Sequence, residues 1–123
     1  MVQFGIAADP EVTKKWIDKP LPDDIAQHSN ERGMLSFAHR GPNTRTTQVF
    51  INYSNNTHLD SGEAPFAPVG RVLQGWDVVM DIYSEHRDYP DQMLIMREGN
   101  EYLDARFPGL EVLKRACFVE RIE

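Results

Sequence analysis

The stretch NTRTTQVFINY, residues 43–53, has the alternation of a β-strand with two chemically different faces. Side chains of a strand alternate with period two. One side therefore carries Thr47, Val49, Ile51 and Tyr53, and this side predicts a plain buried sheet face. The other side carries Gln48, Phe50 and Asn52, which puts a primary amide beside a phenyl ring. This second face indicates either a ligand-holding surface or a core phenylalanine with a satisfied polar partner.

Apolar patterning along the rest of the chain predicts a fold of short strands, long loops and few helices. Further strands are expected over 2–7, 33–39, 69–73 and 111–121. Helical spacing of apolar residues is expected over 76–86 and 98–107. The polar stretches 9–33 and 54–68 are interpreted as long loops, which in a compact domain are usually functional or covering. This organisation favours a β-barrel or a β-sandwich.

Composition excludes several classes of function. The chain has 123 residues and a net charge of −6, so a single domain without nucleic-acid partners is expected. No apolar run reaches the length of a membrane helix and no signal peptide is evident, so we expect a soluble protein without a membrane partner. The compartment stays open, with the cytoplasm only as the default. Cys117 is the only cysteine, and its apolar surroundings predict a buried thiol.

The chemistry that remains is that of peptide recognition. The four histidines lack metal-site spacing, and no nucleophile elbow or glycine-rich phosphate loop is present, so no metal or cofactor is expected. What the chain offers is a set of uncharged amides and apolar side chains, namely Met1, Gln3, Gln48, Phe50, Asn52, Leu59 and Phe66. Amides pair with peptide N–H and C=O groups, and apolar floors accept a ring.

Several motifs, in order, resemble one family. They are RGMLSFAHRGPNTRTTQVFIN (residues 32–52), HLDS (58–61) and APFAPVGRVLQGWDVVMDIY (64–83). MVQFG at the start is similar to a Phe-Met-x-Gln strand. Together these motifs resemble the cyclophilins, the peptidyl-prolyl cis–trans isomerases, over residues 1 to about 83. The segment from Arg97 to Phe118 resembles a subset with an extra C-terminal helix before the last strand.

The resemblance implies a mainly β fold, a cyclophilin-like antiparallel β-barrel with one or two α-helices. It implies a single domain over 1–123, with the C-terminal helix and last strand in 97–123. It also implies that the barrel is incomplete, because in the family the strand that matches Met1 and Gln3 follows the first strands and first helix. That preceding part holds the family's catalytic arginine, so we expect a fragment with isomerase activity roughly a hundredfold or more below a full-length homologue.

The resemblance also assigns roles to residues. Gln48 and Gln3 are expected as the catalytic-site residues that hold the substrate backbone or orient the arginine. Met1, Phe50, Leu59 and Phe66 are expected to line the proline pocket. Ala38, His39 and Arg40 match the stretch that pairs with the peptide backbone before the proline. The implied partners are proline-containing peptides or proteins.

Departures from the family pattern qualify these expectations. His39 and Arg40 replace a common Asn-Ala, Val49 replaces a common Phe, and Phe66 replaces a histidine. His58 is a substrate-side position where many members have a Trp associated with cyclosporin, so weak or no cyclosporin binding is expected. The alternatives to an isomerase are a cyclophilin-like module that binds proline peptides without catalysis and an unrelated β-rich domain.

Overall fold

A computed structural model describes residues 1–120, and within this range it contains four strands and four helices. The strands are β1 (Val2–Phe4), β2 (Met34–Phe37), β3 (Val49–Ile51) and β4 (Pro68–Arg71). The helices are α1 (Pro10–Ile17), α2 (Trp76–Met80), α3 (Gln92–Glu98) and α4 (Asn100–Arg106), and a 3-10 turn covers Thr57–Asp60.

The strands form one antiparallel sheet in the order β1-β3-β2-β4. Phe50 lies at the centre of the register, because Gln3 of β1 and Ser36 of β2 both stand opposite it. The outer strands β1 and β4 each pair on one side only within the described chain. Residues 1–120 therefore form an open antiparallel sheet. This agrees with the expected antiparallel β structure, whereas the expected barrel, predicted to be incomplete, is not shown by these four strands.

The two faces of β3 are buried in the opposite sense to the prediction. Phe50 is 2% exposed and Asn52 is fully buried. On the face predicted to be buried, Val49 and Ile51 are only half-buried and Thr47 is exposed. The face that carries Phe50 is buried because the segment that includes the 3-10 turn lies over it, with the ring of Phe66 against that of Phe50.

Helix α1 begins inside the segment that the sequence suggested was a loop. Asp9 is its N-cap, and the carboxylate accepts the backbone N–H of Glu11 at 2.9 Å. Pro10 occupies the first helical turn, where its missing N–H costs nothing. The prolines that made 9–33 resemble a loop therefore include one that starts a helix.

Helices α3 and α4 dock against the beginning of the chain. Gly99 joins them with φ of 64°, and a β-carbon there would overlap the carbonyl oxygen of Ala8. The same oxygen accepts the N–H of Asn100 at 3.0 Å. Helix α4 corresponds to the predicted helix over 98–107, whereas α3 was not predicted.

Three expectations for the second half of the chain are wrong. The helix predicted over 76–86 ends at Met80, and residues 111–120 of the expected last strand form no regular element. Arg121 of that expectation lies outside the described residues. Cys117 is exposed and not a buried thiol, because all of residues 111–120 are exposed. None of the helices in the described chain has the length and apolarity required to cross a bilayer.

Candidate functional site

Two glutamine side chains are joined where β1 meets β3. The Nε2 group of Gln3 donates to Oε1 of Gln48 at 2.9 Å. Gly5 makes this approach possible, because it follows β1 with φ of 116° and a β-carbon there would overlap the carbonyl oxygen of Thr47. Only glycine tolerates both the conformation and the contact. The sequence therefore places an amide pair at one end of β3.

Three aromatic rings lie next to this amide pair. The ring of Phe66 meets Phe50 edge-on, with centroids 5.7 Å apart and an interplanar angle of 73°. His39 stacks on the ring of Phe66, with centroids 4.0 Å apart and an interplanar angle of 16°. These are favourable geometries for aromatic pairs. Because Phe50 is 2% exposed, the phenyl floor is covered in this conformation.

A buried asparagine holds the segment that covers Phe50. The Nδ2 group of Asn30 donates to the carbonyl oxygen of Phe66 at 2.8 Å and to Oδ1 of Asp60 at 2.7 Å. Phe66 in turn donates its N–H to the carbonyl oxygen of Leu59 at 2.9 Å. The turn that carries Leu59 and the strand entry that carries Phe66 are thus fixed to one point.

The same asparagine is also hydrogen-bonded to the sheet, through Ser36 and Asn52. Asn30, Ser36 and Asn52 are all fully buried. The hydroxyl of Ser36 donates to Oδ1 of Asn30 at 2.7 Å, and Nδ2 of Asn52 donates to that oxygen at 3.3 Å. We call Asn30, Ser36, Asn52 and Asp60 the polar hub. Sequence reasoning missed the hub, since Asn30 stands in a polar stretch and nothing in that pattern marks it as buried.

Asp60 is held as a carboxylate by the hub. The hydroxyl of Ser29 donates to it, as does the backbone N–H of Asn30 at 2.8 Å. These bonds lower the pKa of Asp60 below its ordinary value, the Ser29 bond most strongly, and the nearby His58 acts in the same direction. The loop that carries Leu59 is therefore anchored by a charge-assisted contact.

The chain beside the rings keeps backbone groups free. The N–H of Ala38 donates to the carbonyl oxygen of Gln48 at 2.9 Å, and the N–H of Arg40 donates to Oγ1 of Thr44 at 2.9 Å. Between them, the N–H and C=O of His39 form no hydrogen bond within residues 1–120. An extended stretch with free backbone groups can pair with a peptide main chain.

The structure brings most of the predicted site residues together. Hydrogen bonds, ring contacts or strand register connect Gln3, Gln48, Phe50, Ala38, His39, Leu59 and Phe66. Met1 is 52% exposed, and the side chains of Arg40 and His58 are also exposed. In the described part of the chain, no hydrogen bond, ion pair or ring contact joins these three side chains to the others.

One residue of the site was not predicted at all. The Nε2 group of Gln48 donates to Oε1 of Gln92 at 3.2 Å, and Gln92 is the first residue of α3. The sequence does contain a helix-start signal. Asp91 is a favourable N-cap, and after Gln92 come four apolar residues. Its carboxylate accepts the N–H groups of Met93 and Leu94 at 2.9 and 3.2 Å.

Comparison with known proteins decides the family. Residues 1–98 match the family model described as "Cyclophilin type peptidyl-prolyl cis-trans isomerase/CLD". The chain belongs to the cyclophilin family. The matched region of this cyclophilin contains every candidate site residue, Gln92 included.

Curated relatives agree with this assignment. The cyclophilin is similar to peptidyl-prolyl cis-trans isomerase cyp11 of Rhizopus delemar, with 36% identity over 80% of the chain and 29% of that protein. It is 37% identical to peptidyl-prolyl cis-trans isomerase CYP18-1 of Arabidopsis thaliana, over 73% of the chain and 56% of that protein. Human peptidyl-prolyl cis-trans isomerase-like 3 is 34% identical over 67% of the chain and 51% of that protein. The chain thus spans about half the length of these relatives, or less.

Proposed function

We propose that this cyclophilin binds Xaa-Pro segments of peptides and proteins and accelerates their cis–trans isomerisation. The observation that carries the proposal is the junction of β1 and β3, where the joined amides of Gln3 and Gln48 lie beside the Phe50–Phe66 ring pair. The family and the names of its relatives support this activity.

The reaction requires no covalent step. Rotation about an Xaa-Pro bond is opposed by a barrier of about 18–20 kcal/mol, because the twisted state loses amide resonance. A protein accelerates it by binding the twisted amide more tightly than either planar form. An apolar niche that fixes the prolyl ring and polar groups that fix the flanking backbone contribute to such a preference.

The site residues divide these tasks. Phe50, Phe66 and Leu59 provide the apolar surface for the prolyl ring. The free N–H and C=O of His39 pair with the backbone of the residues before the proline. Gln3 holds a peptide group from the opposite side. Because Phe50 is 2% exposed, the prolyl ring reaches it only when Phe66 moves, so we expect binding to be accompanied by displacement of the His39–Phe66 stack.

Exchange spectroscopy on a proline-containing tetrapeptide tests the proposal. We expect faster cis–trans exchange of the peptide in the presence of the chain, together with chemical-shift changes at Phe50, Phe66 and His39. Phe66→Ala should abolish both effects, since it removes one wall of the niche. Shift changes without faster exchange would indicate a binding module that is not catalytic. A peptide that perturbs none of these residues would contradict the proposed function.

We also propose that cyclosporin binds this protein weakly or not at all. The proposal rests on the exposed His58, which offers a smaller and more polar surface than an indole. Calorimetric titration with cyclosporin should give no saturable heat at micromolar protein. His58→Trp should strengthen binding, and tight binding by the unaltered chain would contradict this proposal.

A further inference from the structure

The amide pair of the site continues into a third glutamine. Gln3 donates to Oε1 of Gln48 at 2.9 Å, and Gln48 donates through Nε2 to Oε1 of Gln92 at 3.2 Å. We call these three side chains the amide relay. A primary amide has one acceptor oxygen and one donor nitrogen, so each bond in the relay constrains the orientation of the next amide.

The direction of the relay follows from its far end. Gln92 presents its oxygen to Gln48, so the nitrogen of Gln48 faces Gln92 and its oxygen faces Gln3. The nitrogen of Gln3 is then used in the pair. Its oxygen Oε1, which has no hydrogen-bond partner within residues 1–120, is the free end of the relay. The relay therefore presents an acceptor at the site.

The capped start of α3 places Gln92 beside Gln48. Asp91 caps α3 at the residue before Gln92. Met96, one turn further along α3, lines a cavity of about 20 Å³ together with Thr13 and Gln48. Helix α3 thus lies beside Gln48, and one hydrogen bond joins the two. The oxygen of Gln92 is presented by a fixed helix start and not by a free loop.

We propose that Gln92 is a positioning residue of the site, which acts through Gln48 to turn the Gln3 carbonyl oxygen toward a peptide N–H of the substrate. The proposal rests on the proposed function for its substrate, but the relay itself can be tested without any substrate. If residue 92 offers a donor in place of an acceptor, both glutamine amides must reverse, and the free end becomes an N–H group that repels a peptide N–H.

Three substitutions at residue 92 separate these possibilities. Gln92→Glu keeps the acceptor and cannot donate. Gln92→Leu removes the partner, and Gln92→Lys offers only a donor. Gln74→Lys is the matched control, since Gln74 is exposed and has no side-chain hydrogen bond in the described chain. All four changes lie at exposed positions, and Glu at a helix start is favourable, so we expect each variant to fold.

The first readout is the side-chain NH2 signals of Gln3 and Gln48 in the nitrogen-15 spectrum of the whole chain. Both pairs of signals should move in Gln92→Leu and Gln92→Lys, and should stay near their original positions in Gln92→Glu and Gln74→Lys. Unchanged Gln3 and Gln48 signals in Gln92→Lys would overturn the proposal, whatever the activity of the chain.

The second readout is the concentration dependence of proline-peptide exchange. Loss of one neutral hydrogen bond to the peptide should raise KM about three- to tenfold in Gln92→Lys, with a smaller change in kcat. Gln92→Glu should recover most of this loss. Equal KM values for the unaltered chain and Gln92→Lys would overturn the positioning role. An unaltered chain without binding or exchange would instead contradict the proposed function, while the NH2 signals still decide the relay.

Discussion

Gly5 determines whether the amide pair can form. It combines φ of 116° with direct contact to the Thr47 carbonyl oxygen, so any side chain there pushes β1 away from the chain that leads into β3. Gly62 offers a natural comparison, because it has φ of 112° and nothing within 4 Å of a β-carbon. The two positions share the backbone strain and differ in the contact.

We therefore expect Gly5→Ala to destabilise the protein by about 2 kcal/mol more than Gly62→Ala, the difference being the cost of a forced backbone shift. The shift should also separate Gln3 from Gln48 and change their side-chain NH2 signals. Denaturant unfolding of both variants, followed by nitrogen-15 spectra, measures these effects. Equal stability losses with intact Gln3 signals would show that the approach of β1 is not limiting.

Asp60 makes the site sensitive to acid. Its pKa is lowered by Ser29 and Asn30, whereas an unfolded aspartate titrates near 3.9. A lowered folded pKa means that the stabilisation is complete above about pH 5 and is lost as the pH falls through the folded value. We expect the amide protection factors of residues 56–66, which correct for the intrinsic pH dependence of exchange, to fall in this acid range.

Asp60→Asn should remove most of that pH dependence and should weaken the loop at pH 7 by about 2 kcal/mol, since hydrogen bonds to a charged acceptor are lost. Asp104→Asn is the control, because Asp104 is exposed on α4 and has no side-chain hydrogen bond in the described chain. Hydrogen exchange between pH 3 and 7 decides the matter. An Asp60→Asn profile parallel to that of the unaltered chain would contradict the role of the hub.

The start of helix α3 carries both an N-cap, Asp91, and a residue of the site, Gln92. Asp91 accepts two backbone N–H groups at the start of α3, and Gln92 is the next residue. Asp9 accepts one such group, the N–H of Glu11, at the start of α1. The two caps are chemically alike, but only one is next to the amide relay.

Asp91→Ala and Asp9→Ala should each cost about 1 kcal/mol of stability, the usual value for an N-cap. Only Asp91→Ala should also raise KM for a proline peptide, because fraying of α3 releases Gln92. Parallel stability and exchange measurements on the two variants test this. Should both variants raise KM equally, the effect would be one of general stability and not of α3.

Local chemistry explains which elements could be predicted from the sequence. Alternation identified β1, β2 and β3, because their apolar side chains recur every second residue. Helix α1 was missed because Pro10 was interpreted as a loop signal, and α3 was not predicted, although Asp9 and Asp91 are favourable helix starts. The prediction of a last strand was wrong, because residues 111–120 have no adjacent strand to pair with in the described part of the chain.

Some residues of the site could be predicted from the sequence, and others could not. Resemblance placed Gln3, Gln48 and Phe50 in one group, and the register of β1 and β3 brings them side by side. Nothing in the sequence pattern linked Gln92 to Gln48 or Asn30 to Phe66, because these contacts depend on long-range packing. The burial of Phe50 also depends on a loop whose path no periodicity describes.

One face of the sheet is poorly covered by the rest of the described chain. Val2, Phe4, Leu35, Phe37, Val49 and Ile51 lie on it, and each is only half-buried. The fully buried set on the other side is largely polar. Within residues 1–120 the buried hydrophobic residues are Phe50, Ala67 and Tyr102. This distribution gives the chain little apolar burial to stabilise a cooperative fold.

We therefore expect the 123-residue chain, studied alone, to bind the dye ANS at neutral pH and to unfold over a broad range of denaturant. The unpaired edges of β1 and β4 should also make its apparent size increase with protein concentration. Fluorescence, urea titration and light scattering provide the measurements. A sharp transition without dye binding would show that the half-buried face is adequately covered.

The span of the amide relay has a consequence for protein synthesis. Its two bonds bridge sequence separations of 45 and 44 residues, so Gln3 emerges from the ribosome long before Gln92 does. At about 5–20 residues per second, a nascent chain waits roughly 2 to 9 seconds between translation of Gln48 and translation of Gln92. The proposed peptide-binding surface is therefore completed only after the strands beneath it have been made.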